Sequence, residues 1–517
     1  MPISLDKDPI GAWKNLQGHL KKYVKSAFGT NSKSFEEERQ RLLDTPGVFF
    51  QEAFLEVLPT YVAGKKLEEL DTQDLPVMSQ DVIDAFCKVA GASLIPADVN
   101  MYKHQEDMLK KAMAEDRKHC VVVTGTGSGK TEAFLLPVLA SIINEAKGKW
   151  KAPVTPNGKW PKKALWNSSR KDIRKEARTP AVRALLLYPM NALVEDQISR
   201  LRAALDSDEA HKAMDEALEG NRIRFGRYNG STPVSGHPSK YNIDKNKWES
   251  SPRRAGLHKK IQQARREHDD YKIQLGAARS DLDLAGRSLD DIRINSAKEK
   301  LSTLLDQGAF IPSMEVDACE MFHRWEMQVT PPDLLITNVS MLSIMLMRHE
   351  DPSSPEDRAD SQVFEATKRW LEEDRENHVF QLVVDELHIY RGASGTEVAY
   401  LLRLLMDRLG LSPDSNQLQI LASSASLDGE EKSYEFLGGM FGLTSAEAKS
   451  RFHIEAGESI YPIEERICEL PEKVSKVCEQ LGHKLESANK PDIYVDDLLD
   501  DVVNTQNMAA LVSGFFD

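Results

Sequence analysis

Short apolar runs alternate with stretches of helical periodicity through the middle of the chain. The runs CVVVTG, ALLLYP, DLLITN, QLVVDE and LQILASSAS each have the length of one strand, and amphipathic stretches such as KTEAFLLPVLASII and NALVEDQISRLRAAL follow them. Strands that alternate with helices predict βαβ units, and therefore a parallel sheet covered by helices on both faces. In such sheets ligands bind at the carboxyl ends of the strands.

The flanking segments depart from this pattern and define the predicted domains. Residues 1–95 show helical spacing interrupted by Gly and Pro, as in QEAFLEVLPTYV, which predicts a helical N-terminal domain. The sheet-forming lobe is predicted over residues 96–430. An acidic helical segment that includes DIYVDDLLDDVV is predicted over residues 431–517.

Residues 235–318 interrupt the lobe with a different periodicity. Apolar positions there alternate steps of four and three, which is typical of a coiled-coil seam, at Leu257, Ile261, Ala264, His268, Tyr271, Leu275, Ala278, Leu282, Ala285, Leu289 and Ile292. Gly276 and Gly286 weaken the helix, so one long helix and a hairpin that bends near one of them are equally consistent. The cationic opening, RRAGLHKKIQQARR, favours a structural arm with solvated charge over an arm that binds nucleic acid or a partner.

Length and composition restrict the class of protein. The chain has 517 residues, which is too long for one ordinary core, and its 41% hydrophobic and 29% charged residues are typical of globular proteins. It contains neither an apolar run of membrane-spanning length nor a secretory signal at its start, so we expect no membrane partner and a cytoplasmic location. The net charge of −14 confines any nucleic-acid contact to a local surface.

The five cysteines are scattered at Cys87, Cys120, Cys319, Cys468 and Cys478. They form no CxxC pair and have no nearby His at metal-ligand spacing. The sequence therefore predicts reduced thiols and no zinc site.

One basic segment could provide such a local surface. Residues 147–178 contain eleven Lys or Arg against two acids, with Trp150, Trp160 and Trp166 among them. Cations for phosphates and aromatic rings for bases are typical of a single-strand path. A solvated loop rich in Gly and Pro explains the composition equally well.

The stretch VVVTGTGSGKTE places a glycine-rich turn between a predicted strand and a predicted helix. Glycines at 125, 127 and 129 allow backbone N–H groups to point at phosphate oxygens near the start of the helix. Lys130 would reach the β and γ phosphates of ATP, and the Thr131 hydroxyl would bind Mg²⁺. Thr124 stands where the strict P-loop pattern has glycine. The predicted nucleotide-binding residues are Thr124, Gly125, Thr126, Gly127, Ser128, Gly129, Lys130 and Thr131.

Two adjacent acids complete this candidate site. Asp385 and Glu386 follow the apolar run of QLVVDELH, as a Walker B strand requires. Asp385 would hold Mg²⁺, and Glu386 would polarise the attacking water. We therefore predict catalytic roles for Lys130, Asp385 and Glu386.

These motifs resemble those of superfamily 2 helicases of the DEAD/DEAH type. GTGSGKT, DELH and SAS are similar to motifs I, II and III, YPMNALVEDQ to motif Ia and TPPDLLITNVSML to motif Ib. FGRYNGSTP, RWEMQ and ELHIYRGASGTEVAYLLR resemble more narrowly the large bacterial helicases of Druantia- and DISARM-like antiphage systems. The resemblance implies a RecA-like P-loop NTPase lobe and an ATP-dependent DNA helicase or translocase.

The resemblance also implies roles for further residues. Gln105, in YKHQ, would read the adenine edge. The predicted contacts to the nucleic-acid backbone are Asn191, Thr337, Asn338 and Arg227. Helix capping is the alternative for the Asn and Thr residues, since strands meet helix N-termini there. The residues that would couple nucleotide state to nucleic acid are His388, Ser424, Ala425 and Ser426.

The second lobe of such a motor is missing from the pattern. Helicases of this superfamily close ATP between two RecA-like lobes, and the second lobe supplies arginines from a pattern such as QxxGRxxR, which this chain lacks. Three explanations stay open: a fragment of a longer polypeptide, a split gene, or a nucleotide-dependent switch that never translocates. We favour a fragment, with the second lobe in cis or in trans and DNA over RNA. The alternatives are a non-motor scaffold in a defence complex, and an RNA-remodelling helicase.

Overall fold

The computed structural model of the protein describes residues 9–45, 47–50, 60–92, 94–125, 127–156, 158–160, 169–242, 245, 247–288, 291–348 and 360–460. These residues form two compact units, one within residues 9–60 and 459–460 and the other within residues 61–458.

The smaller unit contains two polar helices, α1 (Pro9–Ala27) and α2 (Lys33–Asp44). Nζ of Lys21 lies 2.8 Å from a carboxylate oxygen of Asp44, which links the two helices. Leu43 of α2 is buried, whereas Leu42 is exposed.

The strands are, in chain order, β1 (Thr60–Tyr61), β2 (Ala63–Lys66), β3 (Asn100–Tyr102), β4 (His119–Val123), β5 (Ala184–Tyr188), β6 (Phe225–Tyr228), β7 (Ser239–Asn242), β8 (Lys247–Ser250), β9 (Glu320–Met321), β10 (Leu334–Asn338), β11 (Phe380–Val384), β12 (Leu418–Ser424), β13 (Phe452–Ala456) and β14 (Ser459–Ile460). The further helices are α3 (Gln80–Gly91), α4 (Lys103–Ala112), α5 (Lys130–Lys149), α6 (Arg170–Arg174), α7 (Asn191–Leu205), α8 (Asp208–Ala217), α9 (Arg253–Ser288), α10 (Asp291–Gly308), α11 (Arg324–Val329), α12 (Val339–Met347), α13 (Ser361–Glu373), α14 (Gly392–Leu409), α15 (Glu431–Phe441) and α16 (Ser445–Arg451).

Eight strands of the larger unit form one sheet in the order β13-β4-β12-β11-β5-β10-β6-β9, and all neighbours are parallel. Successive side chains on each strand enter different cores, as the pleat requires. Val383 packs in the core formed with α3, α4, α5, α7 and α8, whereas Leu382 and Val384 pack in the core formed with α12 to α16. Continuous apolar runs suit such strands because both of their faces are buried. The predicted α/β class, a parallel sheet with helices on both faces, is confirmed.

The insertion folds as a β-ribbon followed by a helical hairpin. Strands β7 and β8 pair antiparallel, and α9 runs unbroken through Gly276 and Gly286. Helix α10 returns along α9, since Nζ of Lys300 in α10 lies 2.9 Å from Oδ2 of Asp281 in α9. Of the two shapes left open by the sequence, the structure has the hairpin, in which α9 continues past Gly286 to Ser288. Several residues of the predicted seam are buried: Leu257, Ile261, Ala264, His268, Leu275, Ala278 and Ala285. Leu289 of that seam lies outside the described residues.

Helices from the segments that come before β4 and after β12 in sequence pack against the sheet. Helix α3, from the segment predicted as an N-terminal domain, places Ile83 and Phe86 in the same core as Phe134 of α5. After β12, α15 and α16 lead into the edge strand β13. The predicted acidic segment beyond residue 460 lies outside the described residues. Within the described part of the chain, no helix combines the length and apolarity that a bilayer span requires.

Candidate functional site

The glycine-rich loop connects the end of β4 to the start of α5. Gly127 and Gly129 have φ angles of 75° and 70°, which only glycine adopts without strain. A Cβ atom at Gly129 would also lie 2.2 Å from Nε2 of Gln105. The conformation therefore favours glycine at position 129, from which α5 begins with Lys130, and a side chain there would displace the Gln105 amide. Thr126 lies outside the described residues.

Thr124 closes the base of the loop. Its hydroxyl lies 2.5 Å from the Ser128 hydroxyl, which donates to the Gly125 carbonyl over 2.9 Å. Thr124 is not among the residues with positive φ, so its backbone has no need of glycine. This explains why a threonine can replace the first glycine of the P-loop pattern.

Two aromatic side chains from the preceding segment hold the loop from outside. The Tyr61 hydroxyl accepts a hydrogen bond of 3.2 Å from the Gly125 N–H. Nε2 of His104 lies 2.8 Å from the Ser128 carbonyl oxygen, and burial lowers the pKa of His104, which favours a neutral ring that donates Nε2–H. The two rings meet edge to face with centroids 5.3 Å apart. Sequence reasoning missed both residues; His104 stands beside Gln105 in YKHQ, but nothing local singles out Tyr61.

Gln105 lies against the loop with both ends of its amide engaged. Its Oε1 accepts from the Tyr102 N–H over 2.8 Å, and its Nε2 donates to the Gly129 carbonyl over 3.0 Å. The side chain is buried. In this structure Gln105 thus fixes the start of α4 and the last residue of the loop. Its predicted contact with adenine stays a prediction.

The strand register brings the acidic motif and the serine motif beside the loop. Val384 pairs with Ala422 across β11 and β12, and Ser424 pairs with Val123 across β12 and β4. The Thr124 N–H donates to the Ser424 carbonyl at 3.3 Å. Motifs separated by roughly three hundred residues therefore end side by side at one edge of the sheet.

The two acids of the DELH motif share one buried serine. The Ser423 hydroxyl donates to Oδ1 of Asp385 and accepts from the Glu386 N–H at 3.0 Å. Burial and the neighbouring Glu386 raise the pKa of Asp385 above its ordinary value. Nζ of Lys130 lies 3.5 Å from Oε1 of Glu386, so the loop lysine faces the acids directly. Ser423 was missed because it precedes the SAS motif.

Glu386 adopts an uncommon backbone conformation. Its φ of 51° lies in the left-handed region, where non-glycine residues cost about 1 kcal/mol. Such residues persist when their surroundings fix them and are frequent at functional sites. Here the Ser423 hydroxyl holds the amide, while Lys130 and His388 lie on either side of the carboxylate.

The predicted coupling residues connect the acidic motif to the end of β12. Nδ1 of His388 lies 3.2 Å from Oε2 of Glu386 and 3.3 Å from the Ala425 nitrogen. An Nδ1 that carries a proton would donate to the Glu386 carboxylate, whereas an Nδ1 without a proton would accept from the Ala425 N–H. The imidazole can therefore hydrogen-bond to only one of the two motifs at a time through Nδ1. The guanidinium of Arg391 also donates to the Ser426 hydroxyl over 2.8 Å. Arg391 was missed by sequence reasoning.

Three of the four predicted nucleic-acid residues lie close together at the carboxyl ends of β5, β6 and β10. Nδ2 of Asn338 donates to Oδ1 of Asn191 over 2.5 Å, and Arg227 forms an ion pair with Glu195 of α7. Asn338 also caps α12, as the capping alternative anticipated. Thr337 differs: its buried hydroxyl donates inward to the Tyr228 carbonyl over 2.7 Å, so that hydroxyl is not presented to a ligand.

In the described part of the basic segment the arginines are buried, whereas most of the lysines are exposed: Lys147, Lys149, Lys151, Lys159 and Lys175. The guanidinium of Arg178 stacks on Trp150 at 3.8 Å from the ring centroid, and the Trp160 indole donates to the Met314 carbonyl. Arg170 pairs with Glu326 at 2.7 Å with both side chains buried. These side chains hold the fold together and do not form a single-strand path. Trp166 lies outside the described residues.

A cluster of buried ion pairs supports the lobe beside this segment. Glu176 contacts Arg174, Arg178 and Arg224, and all four side chains are buried. Burial alone would raise the pKa of Glu176, but Arg224 and Arg178 hold it at about 2. Asp333, just before β10, pairs in turn with Arg178 and Arg183 at 2.7 and 2.9 Å. Buried charges of this density require mutual neutralisation.

Comparisons with known proteins agree with the motifs. Residues 102–232 match the model of the DEAD/DEAH box helicase family. The chain is 32% identical over 462 residues to Druantia protein DruE of Escherichia coli (strain UMEA 4076-1), a match that covers 86% of this chain and 22% of DruE. The chain thus spans about a fifth of that relative's length.

Two solved helicase structures are similar at low identity. The DUF1998 helicase MrfA bound to DNA has 17% identity and a TM-score of 0.35, over 74% of this chain and 30% of MrfA. The DEAD-box helicase Mss116 bound to ssRNA and UDP-BeF has 11% identity and a TM-score of 0.37, over 84% of this chain and 55% of Mss116.

Proposed function

We propose that this chain, which carries a DEAD/DEAH box helicase domain, is the ATP-binding half of an ATP-dependent DNA helicase or translocase that acts in bacterial antiphage defence in the cytoplasm. The observation that carries the proposal is the approach of Lys130 to Glu386, with Asp385 tied to the same strand end through Ser423. A P-loop lysine beside two strand-terminal carboxylates is the arrangement that phosphoryl transfer from a nucleotide requires.

The loop fits a polyphosphate. Gly127 and Gly129 lack side chains that would cover the backbone N–H groups, and α5 adds the positive end of its dipole. Lys130 supplies a mobile positive charge whose present partner is Glu386, only partly buried. Thr131, in the first turn of α5, and Asp385 would hold Mg²⁺, which neutralises phosphate charge when bound.

Asp385 and Glu386 would have different roles in hydrolysis. Asp385 is partly buried and is fixed by the Ser423 hydroxyl, which suits a group that stays in place. Glu386 is held by its amide, so its carboxylate is free to turn from Lys130 toward a water molecule and accept its proton. Separation of the Lys130–Glu386 pair is therefore the step that activates both residues.

Nucleic acid would bind across the carboxyl ends of β5, β6 and β10. The exposed side chain of Asn191 and the charge of Arg227 suit contacts to sugar and phosphate, which position a strand without reading its sequence. For Thr337 we propose contact through the backbone alone, because its hydroxyl is engaged internally. His388, Arg391 and Ser426 link the acidic motif to the end of β12.

A second RecA-like lobe, in cis or in trans, would close the nucleotide site and supply arginines to the transferring phosphate. The 22% coverage of DruE supports this, because most of that relative has no counterpart in this chain. The alternatives are a non-motor switch or scaffold in a defence complex, and an RNA-remodelling helicase.

Steady-state ATP hydrolysis separates these functions. The purified chain, alone and with its second lobe added, would be assayed with single-stranded DNA, duplex DNA and RNA at equal nucleotide concentration. We expect the strongest stimulation with DNA. Stronger stimulation by RNA would favour the remodelling enzyme, and lack of stimulation by any nucleic acid, even with the second lobe present, would favour the scaffold.

A further inference from the structure

The fold assembles an Asp, a His and a Cys far from the nucleotide loop. Asp206 directly follows α7, His211 lies in the first turns of α8, and Cys319 directly precedes the edge strand β9. Their ligand atoms all lie within 4.8 Å of one another. Nε2 of His211 is 2.8 Å from Oδ1 of Asp206 and 3.9 Å from Sγ of Cys319.

These separations suit a tetrahedral metal ion. Zinc bonds of about 2.0 Å to nitrogen or oxygen and about 2.3 Å to sulfur place neighbouring ligand atoms roughly 3.3 to 3.6 Å apart. The two distances from His211 bracket that range. Shifts of about half an ångström would therefore admit the ion. Thiolate, imidazole and carboxylate together favour zinc over Mg²⁺ or Ca²⁺, which take oxygen ligands.

The surroundings orient each donor. Asp206 accepts from the Cys319 N–H at 2.7 Å and from the Glu320 N–H at 3.2 Å, which fixes its carboxylate. On the far side of the ring, Oδ2 of Asp317 lies 3.6 Å from Nδ1 of His211. A carboxylate behind a histidine fixes the ring and its tautomer in zinc sites.

Charge also suits a dication. One thiolate and one carboxylate neutralise Zn²⁺, so a site that includes neutral His211 carries no net charge. Cys319 is fully buried, which excludes a role as an exposed nucleophile.

We propose that Asp206, His211 and Cys319 bind a zinc ion, with water in the fourth position. The ion would connect the corner between α7 and α8 to the point where the chain returns from the helical hairpin. It would thereby fix the base of the insertion against the sheet edge. No short sequence motif predicts such a site, because His211 and Cys319 are 108 residues apart in sequence.

Metal analysis of the 517-residue chain tests this proposal. After incubation with zinc and gel filtration, we expect about one zinc per wild-type chain. In Cys319→Ser and in His211→Gln the zinc content per chain should be lower by a factor of about ten or more. Cys87→Ser is the matched control, since the Cys87 thiol also donates to a backbone carbonyl, at 2.9 Å against 3.0 Å for Cys319. Full zinc content in Cys319→Ser, or none in the wild-type chain, overturns the proposal.

Cobalt provides a second readout, which begins with the wild-type chain. Co²⁺ added to the metal-free wild-type chain should give the near-ultraviolet band of a thiolate ligand and the visible bands of a tetrahedral ion. Zinc should displace both. Lack of the thiolate band in the wild-type chain, or its persistence at full intensity in Cys319→Ser, refutes ligation by Cys319. Loss of the band in Cys319→Ser and its retention in Cys87→Ser support it.

Discussion

Nζ of Lys130 lies 3.5 Å from Oε1 of Glu386, although 256 residues separate them in sequence. The lysine that would grip phosphates and the carboxylate that would activate water thus neutralise each other. At 3.5 Å the ion pair is long, and its side chains are only partly buried, so it is weaker than a close, fully buried pair. A nucleotide phosphate can therefore take the lysine and release the carboxylate in one event.

Lys130→Ala should strongly weaken ATP binding. Loss of a hydrogen bond between charged groups costs about 1.5 to 3 kcal/mol, which corresponds to roughly 10-fold to more than 100-fold in affinity. A fluorescent ATP analogue titrated against wild-type and variant chains measures the change. Lys449→Ala, which removes a lysine paired with Glu431 at 3.0 Å elsewhere, should bind as the wild type does. Unchanged affinity in Lys130→Ala would exclude the loop as the phosphate site.

Glu386→Gln should retain ATP binding and lose turnover. A general base contributes about 100-fold to 10,000-fold to rate, and the amide cannot accept the proton. Because the variant also frees Lys130 from its acidic partner, we expect affinity for ATP equal to or above that of the wild type. Equilibrium binding and nucleic-acid-stimulated hydrolysis would be measured on one preparation. Normal hydrolysis would show that another group activates water.

Ser423→Ala should lower kcat with little effect on KM for ATP. The change removes the hydroxyl that orients both Asp385 and Glu386 and leaves the Glu386 N–H without that acceptor. A loss of about 1 to 3 kcal/mol, or roughly 5-fold to 100-fold in kcat, follows if it is felt in the transition state. Ser433→Ala is the control, since its hydroxyl also donates to a carboxylate, Asp428, away from the site. Equal effects of the two variants on kcat would contradict the role of Ser423.

Arg227→Ala should weaken binding to nucleic acid by a similar factor for every sequence. If Arg227 contacts a phosphate, the slope of log affinity against log salt concentration should shrink by about one. Binding to labelled single strands at several salt concentrations measures this. Arg279→Ala, on the helical hairpin, removes a charge paired with Asp208 and should leave the slope unchanged. A slope that responds to Arg279 alone would move the binding surface to the hairpin.

Glu176→Gln should destabilise the lobe by about 3 to 5 kcal/mol, because three buried arginines lose a shared counter-ion. Urea unfolding measures the free energy. Glu431→Gln breaks the exposed pair with Lys449 and should change that free energy little.

Acid titration tests the same pairing. The pKa of Glu176 is about 2 in the folded chain against an ordinary value of 4.5, because Arg224 and Arg178 outweigh the opposing effect of burial. Its contribution to stability is therefore complete above about pH 4.5 and is lost as the pH falls toward 2. Glu176→Gln should show a shallower loss of stability over that interval. Parallel pH profiles for the two proteins would contradict the assignment.

The sequence predicted the parts of the site that lie within short motifs. Periodicity placed the strands, and the order of the GTGSGKT and DELH motifs placed Lys130 and Glu386 at one sheet edge, where the structure has them. Tyr61, Ser423 and Arg391 could not be found in this way. Their contacts depend on strand register and on tertiary approach, which no local spacing encodes.

Local composition does not show which charged residues pair when the partners are far apart in sequence. The basic segment suggested a nucleic-acid path because its own stretch of chain has few acids, yet Glu326 and Asp333, more than 150 residues downstream, neutralise Arg170 and Arg178. The same limitation hid the Asp206, His211 and Cys319 cluster. Helical periodicity was more informative, since the seam of α9 depends on local spacing and most of its described members are buried.

The strand order also determines how long β4 must wait during translation before its neighbours in the sheet are synthesised. The loop strand β4 spans residues 119–123, but its two neighbours in the sheet, β12 and β13, begin at residues 418 and 452. At a translation rate of about 5 to 20 residues per second, β4 leaves the ribosome roughly 15 to 60 seconds before either neighbour exists. During that interval an apolar strand has both edges unsatisfied, which invites aggregation. Newborn chains should therefore depend on chaperones, and ribosomes that stop before residue 418 should release insoluble products.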